Sequence, residues 1–264
     1  MNFENLSLLI QGEVARITLN RPDRLNSLDS NSMIELGKAL DQVEVSPGVR
    51  VLTLTGAGRA FCAGQDLDDP AMQIGEERGP DIGAIVEQYF KPLVLRLQNL
   101  RVPTIAAVNG LAAGGGASLA LACDLVVAAR SAYFLQAFSK IGLTPDTGST
   151  WFLTHKVGTA RAIGLTYLAE KLSATKAAEW GLIWDVIDDD SFDSSIAQLS
   201  ARVASLPTTA LVRTRALIHA ATGHTLEQQL AMEATYIREM GWRKDYREGL
   251  DAFNEKRAPK FTGE

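Results

Sequence analysis

Residues Thr104 to Ala128 read TIAAVNGLAAGGGASLALACDLVVA, and the fold is decided there. The stretch divides into a buried strand (Thr104 to Val108), a glycine-rich loop (Asn109 to Gly116), a small-residue helix (Ala117 to Cys123) and a second strand (Leu125 to Ala128). Glycines at the mouth of a helix let another chain or a ligand reach the backbone, because no Cβ stands in the way. They also leave free N–H groups at the positive end of the helix dipole, where negative charge is stabilised. A site that holds a developing oxyanion is built this way. Asn109, Asp124 and the glycine triplet interrupt the apolar run, which excludes a transmembrane helix. Ala117 and Ser118 follow Gly116 where a phosphate-binding loop needs Lys and Ser or Thr. Gly56-Ala57-Gly58 begins like a dinucleotide fingerprint, but Phe61 occupies the place of its third glycine.

Outward from this centre the chain is ordinary globular stock: 264 residues, 46% hydrophobic and 22% charged. A net charge of -5 with no basic tract argues against a nucleic-acid partner. Met1 to Ile10 has neither the charged nor the apolar region of a secretory signal, and a cytoplasmic protein is expected. Cys62 and Cys123 lie in apolar surroundings and read as reduced core thiols. The histidines, His155, His219 and His224, are scattered, so no metal site is expected.

Leu6 to Ile10 and Val14 to Asn20 predict a hairpin across Gln11-Gly12. Leu28 to Val43 has helical spacing (Met33, Leu36, Leu40, Val43) with an N-cap at Asp29 or Ser30, and Val51 to Thr55 reads as a buried strand. Strand–helix–strand order recurs twice more, with Asp81 to Leu100 and Gly115 to Ala122 as the helices, which implies parallel pairing and an α/β fold. Pro70 to Pro80 reads as an acidic surface loop. From Ser191 onward four helical segments (Ser191 to Ser205, Thr208 to Ala221, Thr225 to Met240, Asp245 to Lys256) carry apolar stripes suited to the chain's own body or to a neighbouring subunit.

Two loops stand out as a pair: Arg59-Ala60-Phe61-Cys62-Ala63-Gly64-Gln65-Asp66-Leu67, and Asn109 through Gly116 with Asp124 behind it. Together with Leu19-Asn20-Arg21-Pro22 near the start and Glu248 to Arg257 near the end, they resemble the crotonase (enoyl-CoA hydratase/isomerase) superfamily. The resemblance implies a spiral of ββα units over residues 1–190 and a C-terminal helical trimerisation module over 191–264, in a homotrimer or a hexamer of paired trimers. It implies an acyl-CoA thioester as substrate, with coenzyme A entering as part of it and no separate cofactor. The backbone N–H groups of Gln65 and Gly115 would converge on the thioester oxygen and hold an enolate. Arg24 and Leu25 would run beside the phosphates and pantetheine, with Ala63, Asp66 and Leu67 near the adenine. Lys256 and Phe261 would reach a coenzyme A of their own or of a neighbouring subunit.

The acids of the pocket decide the reaction. The two glutamates of the family's hydratases fall at Ser118 and Phe138, so two-glutamate hydration is not expected. One carboxylate remains, Asp146 in Gly142 to Trp151, where the family's isomerases carry an aspartate. Asp146 also reads as a helix N-cap, and the apolar neighbours Phe138, Leu143 and Trp151 would raise its pKa. The strings Cys62 to Leu67, Ala137 to Lys140, Pro145-Asp146 and Lys256 to Gly263 are similar to the family branch that rearranges ring-1,2-epoxyphenylacetyl-CoA to oxepin-CoA, and to its Δ3,Δ2-enoyl-CoA isomerases. The alternatives are an enoyl-CoA hydratase-like enzyme, disfavoured by the missing glutamates, an aromatic acyl-CoA dehalogenase, disfavoured because that branch carries tryptophan where Phe138 stands, and a non-catalytic RNA-binding relative, disfavoured by charge. Residues from Pro70 to Gln88 are expected to set acyl specificity.

Overall fold

Strands in this protein alternate between two sheets. The computed structural model describes residues 3–72 and 79–264. β1 (Leu6–Gln11) and β2 (Val14–Leu19) form the antiparallel hairpin, and β3 (Val51–Gly56) follows. β4 (Ala60–Cys62) leaves for a second sheet, β5 (Thr104–Val108) returns to the first, β6 (Leu111–Ala113) leaves again and β7 (Leu125–Ala129) returns. β8 (Tyr133–Leu135) and β9 (Leu172–Ser173) complete the second sheet, and β10 (Asp185–Ile187) closes the first. The large sheet runs β1-β2-β3-β5-β7-β10, parallel from β2 onward; the small one runs β4-β6-β8-β9, with only its β9 edge antiparallel. A strand of each sheet and then a helix, repeated, is the ββα spiral. β3 and β5 are buried at every position, as strands covered on both faces must be.

The helices fill the space these turns enclose. α1 (Ser30–Val45) begins at Asp29, whose carboxylate accepts the Ser32 N–H at 2.7 Å, and it buries Met33, Leu36, Leu40 and Val43. A helical run follows in three pieces: α2 (Ile82–Ile85), a π-turn (Val86–Phe90) and α3 (Lys91–Asn99). Pro92 gives this break a cause, since it has no N–H to offer the carbonyl one α-turn back. α4 (Gly115–Leu121) is buried at all seven positions, which explains its small residues. Of the two starts the sequence offers, Gly115 and Ala117, it takes Gly115, and the expected loop ahead of it contains β6.

α5 (Ser149–Leu168) is broken at Gly158, and α6 (Ala174–Glu179) is short. α5 is not capped by Asp146, as one reading of the sequence had it; Gly148, at φ 81°, precedes its first residue and no side chain caps it. Of the expected loop at 70–80, Pro70–Met72 form a 3-10 turn and residues 73–78 lie outside the described residues. Among the described residues no helix is long and apolar enough to cross a membrane.

α7 (Phe192–Ala204) lies on the large sheet, where Val203 and Ala204 pack with Val51 and Ile105. α8 (Thr208–Ala221), α9 (Leu226–Gly241) and α10 (Lys244–Glu255) follow. A largely buried ion pair helps tie this helical part to the spiral. Arg215 of α8 donates to Asp124 Oδ2 at 3.0 Å and to the carbonyls of Leu100 and Val102. Asp124 Oδ2 also accepts the Thr104 N–H at 2.8 Å, and Asp124 N–H donates to Thr104 Oγ1 at 2.9 Å. Both charged side chains are largely buried, so removing one strands the other. Arg215→Ala is expected to cost about 3–5 kcal/mol in urea unfolding; a loss under about 1 kcal/mol would show the staple to be dispensable.

Candidate active site

The two glycine-bearing turns meet backbone to backbone. A Cβ on Gly116 would stand 2.4 Å from the Cys62 carbonyl oxygen. One on Gly64, whose φ is +95°, would stand 2.9 Å from the Ala113 carbonyl oxygen and 3.4 Å from Gly115 N. Only glycine permits that approach. Side chains brace the turns from outside. Asn26 Nδ2 donates to the Ala57 and Ala60 carbonyls, and Asn109 Nδ2 donates to the Gly58 carbonyl. Arg21 spans Asp29 and Asp66 at 3.1 and 2.8 Å.

This contact sets two N–H groups side by side. Leu28 pairs with Gln65 as a parallel bridge: Leu28 N–H donates to the Gly64 carbonyl and the Leu28 carbonyl accepts from Asp66 N–H. In such a bridge the Gln65 N–H faces the other way, and it has no hydrogen-bond partner among the described residues. Gly115 is the first residue of α4, so its N–H is one of the helix's unpaired donors. Both residues line a cavity of about 320 Å³. Its walls are mostly apolar, with Leu67, Ile85, Phe90, Phe138 and Leu143 among them.

Asp146 supplies the only carboxylate among the described residues lining this cavity. Burial pushes its pKa above the ordinary carboxylate value, and a hydrogen bond from Thr147 pulls against that shift. The Thr147 hydroxyl donates to Asp146 Oδ1 at 2.8 Å. Thr147 is 4% exposed and holds a left-handed φ of 51°. Its Oγ1 lies 3.2 Å from where a Cβ of Gly115 would stand, so one side chain touches both the acid and the helix start. The nearby Cys62 thiol is pushed up to about 12 by burial and is no nucleophile at neutral pH. A pair of N–H groups without partners among the described residues and a carboxylate of raised pKa in an apolar pocket can stabilise an enolate and move a proton.

The other expected site residues divide. Ala63, Leu67 and Phe138 line the cavity with Gln65, Gly115 and Asp146; Arg24, Leu25, Asp66, Lys256 and Phe261 do not. The Leu25 carbonyl accepts the N–H of Ala63 in the wall at 3.0 Å. Arg24 is exposed and pairs with Asp68. The Asp66 carboxylate turns inward: burial alone would raise its pKa, but the Asp68 N–H and Arg21 hold it below the ordinary value. Lys256 closes α10, and Phe261 packs on Gly249 while its carbonyl accepts from Arg50. Trp151 was expected beside Asp146. It lines a separate cavity, stacked on His155 with ring centroids 4.2 Å apart, because it falls on the opposite side of α5. The sequence reading did not single out Phe90 or Lys140 as pocket residues, and the π-turn displaces Phe90 from any regular helical stripe.

The model of the enoyl-CoA hydratase/isomerase family matches residues 10–264. The chain belongs to that family. It is 49% identical to the 1,2-epoxyphenylacetyl-CoA isomerase of Escherichia coli, across 96% of this chain and 97% of that protein. It is 42% identical to a Rhodobacter capsulatus protein named "Probable enoyl-CoA hydratase", over the whole of both chains. Among solved structures, the enoyl-CoA hydratase of Bacillus anthracis superposes with a TM-score of 0.92 at 34% identity, covering 99% of this chain and all of the other. This family member is accordingly a crotonase-fold enzyme of the isomerase or hydratase kind, and acyl-CoA thioesters are the substrates of its family.

The Thr147 hydroxyl favours the charged form of Asp146, so its loss raises the acid's pKa further. A carbon-13 NMR titration of the carboxyl is expected to place its midpoint above the ordinary carboxylate range, and higher again in Thr147→Val. An equal midpoint in the two proteins would remove Thr147 from this role.

Proposed function

We propose that the enzyme is an acyl-CoA isomerase that moves a proton within the acyl group, and that its substrate is ring-1,2-epoxyphenylacetyl-CoA, converted to oxepin-CoA. The Gln65 and Gly115 N–H groups hold the thioester oxygen and acidify the α-carbon. Asp146 takes the α-proton and returns it to a ring carbon; the carbon–carbon bond that the epoxide shares with the six-membered ring breaks while both carbons stay bonded to the epoxide oxygen, so the ring expands to seven members and substrate and product hold the same atoms. The same proton transfer on a 3-enoyl-CoA is a Δ3,Δ2 double-bond shift. The observation that carries the reading is that Asp146 is the single carboxylate among the described residues lining the cavity. Hydration by two acids needs a second, and Ser118 and Phe138 stand where the resemblance puts the glutamates. The 49% identity to an enzyme named for the epoxide rearrangement supports the choice of acyl group.

In this reading residues 191–264 form an assembly module. Leu226, Ile237, Trp242 and Phe253 are each more than two-thirds exposed there, at 76, 72, 80 and 81%. A homotrimer, or a pair of trimers, would cover them, and would let Lys256 and Phe261 serve the coenzyme A of a neighbouring subunit.

The test is turnover of ring-1,2-epoxyphenylacetyl-CoA and of a 3-enoyl-CoA, with products identified by mass spectrometry. Isomers of unchanged mass are expected, and Asp146→Asn should lower kcat by about a hundredfold or more. Products heavier by one water, or wild-type turnover in the variant, would overturn the proposal.

A further inference from the structure

Behind the Gly115 N–H lies a chain of hydroxyl groups that the chemistry above does not use. Ser118 and Ser149 are both fully buried, and their Oγ atoms are 2.5 Å apart. Ser118 Oγ is also 3.3 Å from the Gly114 carbonyl oxygen, which already accepts the Ser118 N–H at 3.1 Å. Each hydroxyl has one proton to give. If Ser118 donated to Ser149, the Ser149 proton would have no acceptor among the described residues. A buried hydroxyl is satisfied when it can be. The order is therefore Ser149 to Ser118 to the Gly114 carbonyl.

That carbonyl belongs to the peptide unit whose nitrogen is Gly115. Donation to a peptide oxygen draws electrons from nitrogen through the conjugated C–N bond and leaves its N–H more positive. Hydrogen bonds in series strengthen one another in this sense, and more so away from water. We infer that Ser149 and Ser118 form a buried relay that polarises the Gly114–Gly115 peptide and makes its N–H a better donor to a thioester oxygen. The inference rests on the reading of Gly115 as that donor. Two small apolar residues would fill the same space without burying a polar group, so packing alone does not call for the pair.

The relay also joins the two halves of the site. Ser118 lies one turn into α4, behind the N–H, and Ser149 opens α5. Ser149 N–H donates to the Asp146 carbonyl at 2.8 Å, so the residue that starts the relay also fixes the acid's backbone. Ser118 and Ser149 are positioning residues and touch no substrate.

Phenylacetyl-CoA carrying carbon-13 at the thioester carbonyl is a probe that binds but has no double bond or epoxide to rearrange. Its carbonyl stretch, read by isotope-edited infrared difference spectroscopy, is expected to fall in wavenumber on binding the wild type. Ser118→Ala should show a smaller fall and Ser149→Ala an intermediate one. With a 3-enoyl-CoA, kcat should drop about three- to tenfold in Ser118→Ala, a fraction of what losing a whole oxyanion donor costs, with KM within about twofold. A full shift and full kcat in a folded Ser118→Ala would overturn the relay and leave the isomerase reading intact. Should Ser118→Ala fail to fold, a full shift in Ser149→Ala would do the same. No shift in the wild type would bring down Gly115 as donor, and the relay with it.

Discussion

The contact between two main-chain turns, one ending at Gly64 and the other opening α4, is the constraint on which the rest is built. Peptide groups lie there at distances that no Cβ could share, so the turns are held by backbone rather than by adjustable side chains. Parallel strands deliver them from adjacent ladders: β3 pairs with β5, and β4 with β6. The ββα spiral thereby brings residue 65 and residue 115 to one cavity, although they lie fifty positions apart in the chain. Two donors fixed by covalent geometry need no reorganisation when charge develops on an oxygen between them.

Electrostatics divides the acids of this region into two kinds. Asp66 is fastened by Arg21 and by the Asp68 N–H, and its charge is held in place. Asp146 has no cation within ion-pairing distance among the described residues; burial pushes it toward the neutral form and only the Thr147 hydroxyl resists. A carboxylate tied to a guanidinium organises structure, whereas one left short of partners is available to exchange protons. Two aspartates near the same loops thus serve different ends, and their partners decide which.

Much of this could be read from the chain before its coordinates. Helical spacing in α1, α8 and α9 located them closely, and the glycine triplet with the Cys62 to Leu67 string marked both turns. Local chemistry hid the remainder. β4, β6 and β8 are three residues each, too short for any alternation, and two of them sit inside glycine-flanked segments that read as loops. Asp146 looked like a cap because a helix follows, but Thr147 and Gly148 both adopt left-handed angles and swing the start of α5 past it. Trp151 was put on the wrong side for the same reason. The Arg21 clamp on Asp66 depends on residues 45 positions apart, which no local pattern exposes.

The π-turn at Val86–Phe90 carries a consequence for how such an enzyme can change its substrate. A π-turn holds one residue more than the α-helix it interrupts. Deleting a residue there would return the run to α-helical spacing, apart from the one bond Pro92 cannot donate, and rotate everything before it by roughly 100° about the helix axis. Ile82 and Ile85 would swing out of the cavity wall, while Phe90, α3 and the Gln65 and Gly115 N–H groups stayed where they are. The acyl-facing wall is in that sense a hinged panel, free to be re-aimed by a length change without disturbing the chemistry behind it.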